Sequence, residues 1–239
     1  MAPWGLVGST VLSMQTGFTD RFEAGRRLAE LLDDYRGRPD VTVLGLPRGG
    51  VPVAYEVSRQ LGAPLDVFVV RKLGVPGHEE LAMGALAAGN VRVVNRQLLW
   101  QAGVDEGQLE GVARREADEL ERRERLYRGD RPPADLRGRA AILVDDGLAT
   151  GATAQAAVRA LRAYDPAEVV IAAPVGAVEA CGSLRQEADR VVCAATPSPF
   201  HAVGAWYASF DPPAEEEIRR LLERRAAEAA PPGSWSSEG

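Results

Sequence analysis

The sequence predicts an α/β fold, a mostly parallel central sheet flanked by helices, with a small hood or insertion. Three observations predict it. Short apolar runs rich in β-branched residues alternate with segments whose apolar residues recur at helical spacing. Two of these runs, residues 41–46 and 140–144, lead straight into loops of glycine and other small residues that open helices. No internal repeat and no long linker divides the 239 residues, a length that suits one large domain with an appendage.

Taken in order, residues 20–35 place Phe22, Leu28, Leu31 and Leu32 among charges, an amphipathic helix closed by Gly37 and Pro39. Residues 41–46 read as a strand, Leu46 to Gly50 as a glycine loop and 51–61 as a helix. A second buried strand is expected at 64–70, followed by a mobile loop over 71–80, where glycine, proline and charge cluster. Residues 81–88 and 91–94 flank Gly89-Asn90 as a hairpin. Residues 105–127 form a long helix dense in Glu and Arg, expected to face water over most of its surface. Then come a strand at 140–144 and a helix through 163. Three elements follow: a strand at 168–173, a helix at 178–187 and a strand at 190–194. A charged helix at 214–229 precedes a Pro-Pro-Gly-Ser tail expected to be disordered. The expected divisions are thus an N-terminal extension (1–17), a main domain (18–212) with a helical insertion at about 96–130, and the C-terminal helix and tail (213–239).

Composition excludes several classes. With 46% hydrophobic and 26% charged residues the chain reads as globular, and no apolar run approaches the roughly 18 residues that cross a bilayer. A formal charge of -6 argues against nucleic acid or an anionic membrane as partner. Cys181 and Cys193 have no second Cys or His pair nearby in sequence, so reduced thiols in a cytoplasmic protein are expected rather than a disulfide framework or zinc site. The first basic residue is Arg21, so the apolar stretch from Trp4 to Leu12 lacks the positive segment of a secretory signal. Lys72 is the single lysine among 28 basic residues, which singles out its position.

The loop at 145–153 carries the most chemistry. Gly147, Ala149, Gly151 and Ala152 leave main-chain N–H groups unobstructed, and the following helix turns its positive end toward them, so a phosphate can bind without a cationic side chain. Thr150 and Thr153 add hydroxyl donors. Asp145 and Asp146, as acceptors, suit vicinal hydroxyls such as those of ribose, and can also hold magnesium directly or through water. Neither a P-loop nor a G-x-G-x-x-G follows any strand.

Residues 140–153, AAILVDDGLATGAT, resemble the phosphoribosyl-pyrophosphate signature of the type I phosphoribosyltransferases. LPRGGVPVA at 46–54 resembles the family's pyrophosphate loop, and RKLGVPGHEELAMGA at 71–85 its flexible catalytic loop. The resemblance implies an enzyme that moves phosphoribose from phosphoribosyl pyrophosphate to a nitrogenous acceptor, releases pyrophosphate, uses Mg2+ and pairs as a homodimer. It implies that Asp145 and Asp146 hold the ribose hydroxyls, that Ala149, Thr150, Gly151, Ala152 and Thr153 wrap the 5′-phosphate, and that Arg48, Gly49 and Gly50 hold pyrophosphate across a peptide bond that is often cis. Arg71 and Lys72 would stabilise the leaving group as catalytic residues. Ala149 stands where enzymes acting on 6-oxopurines carry an aspartate, while Ala-Thr-Gly is closer to adenine enzymes, in which a loop glutamate assists; Glu80 aligns with that role better than Glu79. Phe200, Trp206, Tyr207 and Phe210 can offer a stacking face for a base, with core packing the favoured alternative. His78 and His201 are isolated, and the 105–127 helix is a candidate for the hood or a subunit contact. The rival reading is a regulator that binds the same donor or a nucleotide without catalysis.

Overall fold

The computed structural model describes residues 17–89 and 91–229; the expectations for the N-terminal extension before residue 17, for Asn90 and for the C-terminal tail lie outside the described residues. The chain runs through β1 (Val41–Gly45), β2 (Leu65–Val67), β3 (Val70–Val75), β4 (His78–Ala87), β5 (Val91–Val94), β6 (Ala140–Val144), β7 (Glu168–Val175) and β8 (Arg190–Ala195). Its helices are α1 (Arg21–Glu30), α2 (Gly50–Leu61), α3 (Arg96–Ala102), α4 (Glu106–Arg128), α5 (Ala152–Arg162), α6 (Val178–Leu184) and α7 (Glu215–Ala229).

Five strands form a wholly parallel sheet in the order β2-β1-β6-β7-β8, and β3, β4 and β5 form a separate antiparallel sheet. Every residue of β1 and β6 is buried, because helices cover both faces. The period-two geometry of a strand then divides the core. Val41, Val43, Ile142, Val144, Val170 and Ala172 join the cluster that contains α1, α2, α4 and α7, whereas Leu44, Ala141, Leu143, Val169, Ile171 and Ala173 join α5 and α6.

Helix α1 starts where Asp20 accepts from the Glu23 amide at 2.8 Å, and ends at Leu31 before a 3-10 turn at Asp33–Tyr35. The charged helix α7 is anchored by Ile218, Leu221 and Leu222 and by a buried arginine, Arg225, whose Nε donates to Ser58 Oγ at 2.7 Å and whose Nη2 donates to the Ala63 carbonyl at 2.9 Å. Arg225→Met should therefore leave Ser58 Oγ without its donor and the Ala63 carbonyl with the Ser58 hydroxyl alone, and lower stability by about 2–3 kcal/mol, read as a reduced urea midpoint at unchanged slope.

One expectation needs correction, and three features went unread. Residues 71–80 are not an irregular loop: they belong to the β3–β4 hairpin, with Pro76 and Gly77 (φ 79°) in its turn and Gly74 at a bulge. Gly74 lies against the Glu79 backbone, where a Cβ would sit 2.6 Å from the Glu79 carbonyl oxygen, so glycine here serves close packing. Helix α4 faces water over most of its surface, as expected, while Leu109, Val112, Ala113, Leu120 and Tyr127 bury a stripe, and Arg128 is buried between Asp66 and Glu124. Helix α3, capped by Asn95 accepting from the Leu98 amide at 3.0 Å, was not foreseen. The two cysteines, isolated in sequence, meet in space: α6 and β8 bring Cys181 Sγ and Cys193 Sγ to 2.8 Å as free thiols.

Candidate functional site

The sheet order creates a crevice at one place. From β1 the chain passes to β2 on one side, whereas β6 lies on the other, so the connections diverge at the carboxyl ends of β1 and β6. Ligands of open α/β sheets bind at such a switch point. Register places Gly45 opposite Val144, which brings the two informative loops side by side.

The loop after β1 is pinned by two backbone bonds, Leu46 N–H to the Val144 carbonyl and Gly50 N–H to the Leu46 carbonyl, both 2.9 Å. The peptide joining Pro47 to Arg48 is cis, and Arg48 is exposed. A Cβ on Gly49 would fall on the Asp146 carboxylate, and one on Gly50 on the Val144 carbonyl, so both glycines let this loop lie directly on the aspartate pair.

Asp145 and Asp146 close the end of β6. Asp145 accepts from the Asp146 amide at 2.9 Å. Arg21, at the first turn of α1, donates its Nε to Asp146 Oδ2 at 2.8 Å and its Nη1 to the Asp211 carbonyl at 2.8 Å, with its guanidinium 4.0 Å from the centre of the Phe210 ring. Tyr207 donates its hydroxyl to the Asp146 carbonyl at 2.5 Å. Burial pushes both carboxyls above the usual aspartate range; for Asp145 the neighbouring Asp146 charge adds to the rise, and for Asp146 Arg21 opposes it. The Tyr207 hydroxyl is pushed up by burial and by Asp146.

The neighbouring loop leaves several amides open. Gly151 takes φ 73° at the N-cap of α5, a conformation that favours glycine. Thr150 Oγ1 accepts from the Ala152 amide at 3.3 Å, while the amides of Ala149, Thr150 and Gly151 have no partner among the described residues. Ala149, Thr150 and Thr153 are exposed. Such a set of free amides at the head of an 11-residue helix is suited to an oxyanion.

The hairpin brings Arg71 and Lys72 near these loops. They line a cavity of about 440 Å³ together with Pro47, Thr153, Arg115 and Arg123. Arg71 is held by Glu116 of α4, with Nε and Nη2 at 2.7 and 2.6 Å from Oε2. Lys72 has a loose contact of 3.8 Å with Glu80, whose side chain is fully exposed. A second cavity, about 540 Å³, lies along the flank of α5 against β4 and β5, lined by Leu81, Ala85, Val94, Leu98 and Gln155; Glu80 borders both cavities.

The crevice thus unites Asp145, Asp146, Gly49, Gly50 and the 149–153 cup, with Arg48, Arg71 and Lys72 at its rim, and leaves Glu80 outside the carboxylate pair. Tyr207 is buried and stacks at 4.9 Å on Phe210, which packs beside Arg21, while Phe210, Phe200 and Trp206 are half-buried. Arg21, Glu116 and Tyr207's hydroxyl were missed by sequence reasoning; each acts across a long separation and carries no local motif. Arg21→Met should leave a half-enclosed carboxylate without its cation and cost about 3 kcal/mol in chemical unfolding.

Among the described residues, no group of three or more His, Cys, Asp or Glu side chains forms a metal cage, and none of the helices is long and apolar enough to cross a membrane. The free oxygens that Asp145 and Asp146 retain suit magnesium shared with a phosphorylated ligand, a mode that needs only one or two carboxylates.

A parallel sheet with this crevice and cup is the type I phosphoribosyltransferase fold. The chain belongs to the phosphoribosyl transferase domain family, whose pattern it matches over residues 18–202. TT1426 from Thermus thermophilus, a crystal structure, is 43% identical, with a TM-score of 0.81 over 87% of this chain and 99% of that one. Relatives from Mycobacterium tuberculosis strains CDC 1551 / Oshkosh and ATCC 25618 / H37Rv, each named "Putative phosphoribosyl transferase", are 46% identical over 217 residues, 91% of this chain. The chain spans about half the length of these curated relatives, 49%.

Proposed function

We propose that this protein transfers phosphoribose from phosphoribosyl pyrophosphate to a nitrogenous, purine-like acceptor and releases pyrophosphate. The observation that carries the reading is the meeting, at one switch point, of an aspartate pair, an amide cup and a glycine loop with a cation at its rim. Amides of 149–153 would bind the 5′-phosphate, and Asp145 and Asp146 would accept from the ribose hydroxyls. As the bond from C1′ to the pyrophosphate oxygen breaks, its electron pair leaves with pyrophosphate, and the acceptor nitrogen forms the new bond to C1′. Arg71 and Lys72, which line the cavity, and Arg48 of the glycine loop would stabilise the departing charge. Magnesium, held by Asp145 and Asp146 jointly with the donor, would supply further positive charge there.

Incubation with Mg2+, phosphoribosyl pyrophosphate and a panel of bases, following pyrophosphate, should give release that depends on one acceptor. Glu80 assists if Glu80→Gln slows turnover with that acceptor; unchanged turnover removes it from the mechanism. The regulator reading draws on one feature, the Arg21–Asp146 ion pair, which engages an oxygen that ribose would use. Tight donor binding with no turnover against the panel would favour it.

A further inference from the structure

Helix α4 holds more than a structural position. Val112, Arg115, Glu116 and Arg123 lie within about one 100° arc of its surface, and all four line the cavity that also contains Arg71, Lys72 and Pro47. The arginines of this helix differ in how they are satisfied. Arg122 and Arg123 pair with Glu119, Arg125 with Glu121, and Arg128 with Asp66 and Glu124. Arg115 is exposed and has no carboxylate within 4.0 Å among the described residues, and it is the unpaired arginine of α4 that faces the cavity. Arg114, next to it, lies outside the cavity lining.

None of the three carboxylates lining the cavity pairs with Arg115: Glu79 accepts from the Gly77 amide at 3.2 Å. Glu116 is committed to Arg71, and the Lys72–Glu80 contact is long and involves a fully exposed carboxylate, an arrangement worth little against a polyphosphate. Because Pro47 and Thr153 belong to the pyrophosphate loop and the phosphate cup, the cavity is continuous with the donor site. Guanidinium groups match phosphate oxygens through two parallel hydrogen bonds.

We propose that α4 forms one wall of the leaving-group site: Arg115, backed by Arg123, binds the pyrophosphate of the donor from the side opposite the glycine loop, while Glu116 of the same helix positions Arg71 beside it. This assignment rests on the donor reading given above. It makes the 105–127 segment a binding element and explains why a helix so rich in charge turns an unpaired arginine toward the cavity.

The test compares three probes by calorimetry: phosphoribosyl pyrophosphate, inorganic pyrophosphate and ribose 5-phosphate, each with Mg2+. Arg115→Gln should weaken the first two by about tenfold or more and leave ribose 5-phosphate within about twofold, since a charged hydrogen bond is worth about 1.5–3 kcal/mol. Arg114→Gln, on the same helix, should leave all three unchanged. Normal affinity of Arg115→Gln for phosphoribosyl pyrophosphate, with wild-type binding intact, overturns the role of α4 and spares the function. Equal weakening by Arg114→Gln overturns it too, by assigning the effect to general charge. Failure of the wild type to bind any probe overturns the functional reading itself.

Discussion

Asp145→Asn and Asp146→Asn should each weaken binding of phosphoribosyl pyrophosphate by about 10–100-fold, yet move stability in opposite directions. In the proposed donor complex each would lose charge-assisted hydrogen bonds to a ribose hydroxyl, worth about 1.5–3 kcal/mol. For stability the surroundings decide. Asp145 is crowded by protein and by the Asp146 charge, and its pKa lies above that of the unfolded chain. Between the ordinary aspartate pKa and the raised one, the folded protein binds more protons than the unfolded protein, so this group's contribution falls as pH rises through that window. At neutral pH the raised pKa is thus a net cost to folding, and Asp145→Asn should raise the melting temperature by about 2–8 °C, equivalent to about 1–2 kcal/mol. The gain should shrink as pH is lowered toward 4. Asp146 differs because Arg21, itself buried, depends on it. Asp146→Asn should cost about 3 kcal/mol by leaving that guanidinium without its anion. Thermal melts at two pH values, alongside calorimetry, check both arms; equal shifts of the same sign would contradict this account of the pair.

The adjacent glycines should separate folding from binding. Gly50→Ala sets a methyl against the Val144 carbonyl and 2.9 Å from Asp145 Cα, all backbone atoms at the buried junction of β1 and β6. Neither strand can yield without losing register, so the expected loss is about 3 kcal/mol or more, a fall of about 6–12 °C in melting temperature. Gly49→Ala instead meets the Asp146 carboxylate, a side chain that can rotate at the expense of its bond to Arg21. Donor binding should fall by about 10–100-fold with a smaller stability loss, about 1–2 kcal/mol. Melting curves and donor titrations of the two variants together read the distinction, and a Gly49→Ala protein that binds normally would show that the loop and the aspartate do not touch in solution.

What could be read from the chain followed the range of the interactions. Strands β1 and β6 and their loops are local features: five consecutive buried residues, then a glycine or aspartate run, are legible as they stand. The stripe that helix α4 buries was not legible because Leu109, Val112, Leu120 and Tyr127 are diluted by Glu and Arg, and the partner surface that buries them comes from β3 and α7. The β3–β4 hairpin was hidden by glycine and proline that mark a bulge and a tight turn as readily as a loop. Arg21 meets Asp146 across 125 positions and Arg71 meets Glu116 across 45. Side chains that complete a site from such distances depend on the packing of whole helices, which no spacing rule encodes.

The central claim is that the crevice between β1 and β6 grips a phosphoribosyl group through paired carboxylates and an amide cup. Titrating phosphoribosyl pyrophosphate with Mg2+ into wild type and into the doubly substituted Asp145→Asn/Asp146→Asn protein, at matched folded fraction, tests it most directly. The account predicts saturable binding at one site in the wild type and affinity at least about 100-fold weaker in the variant. Undiminished affinity in the variant, or no binding by the wild type, would contradict it.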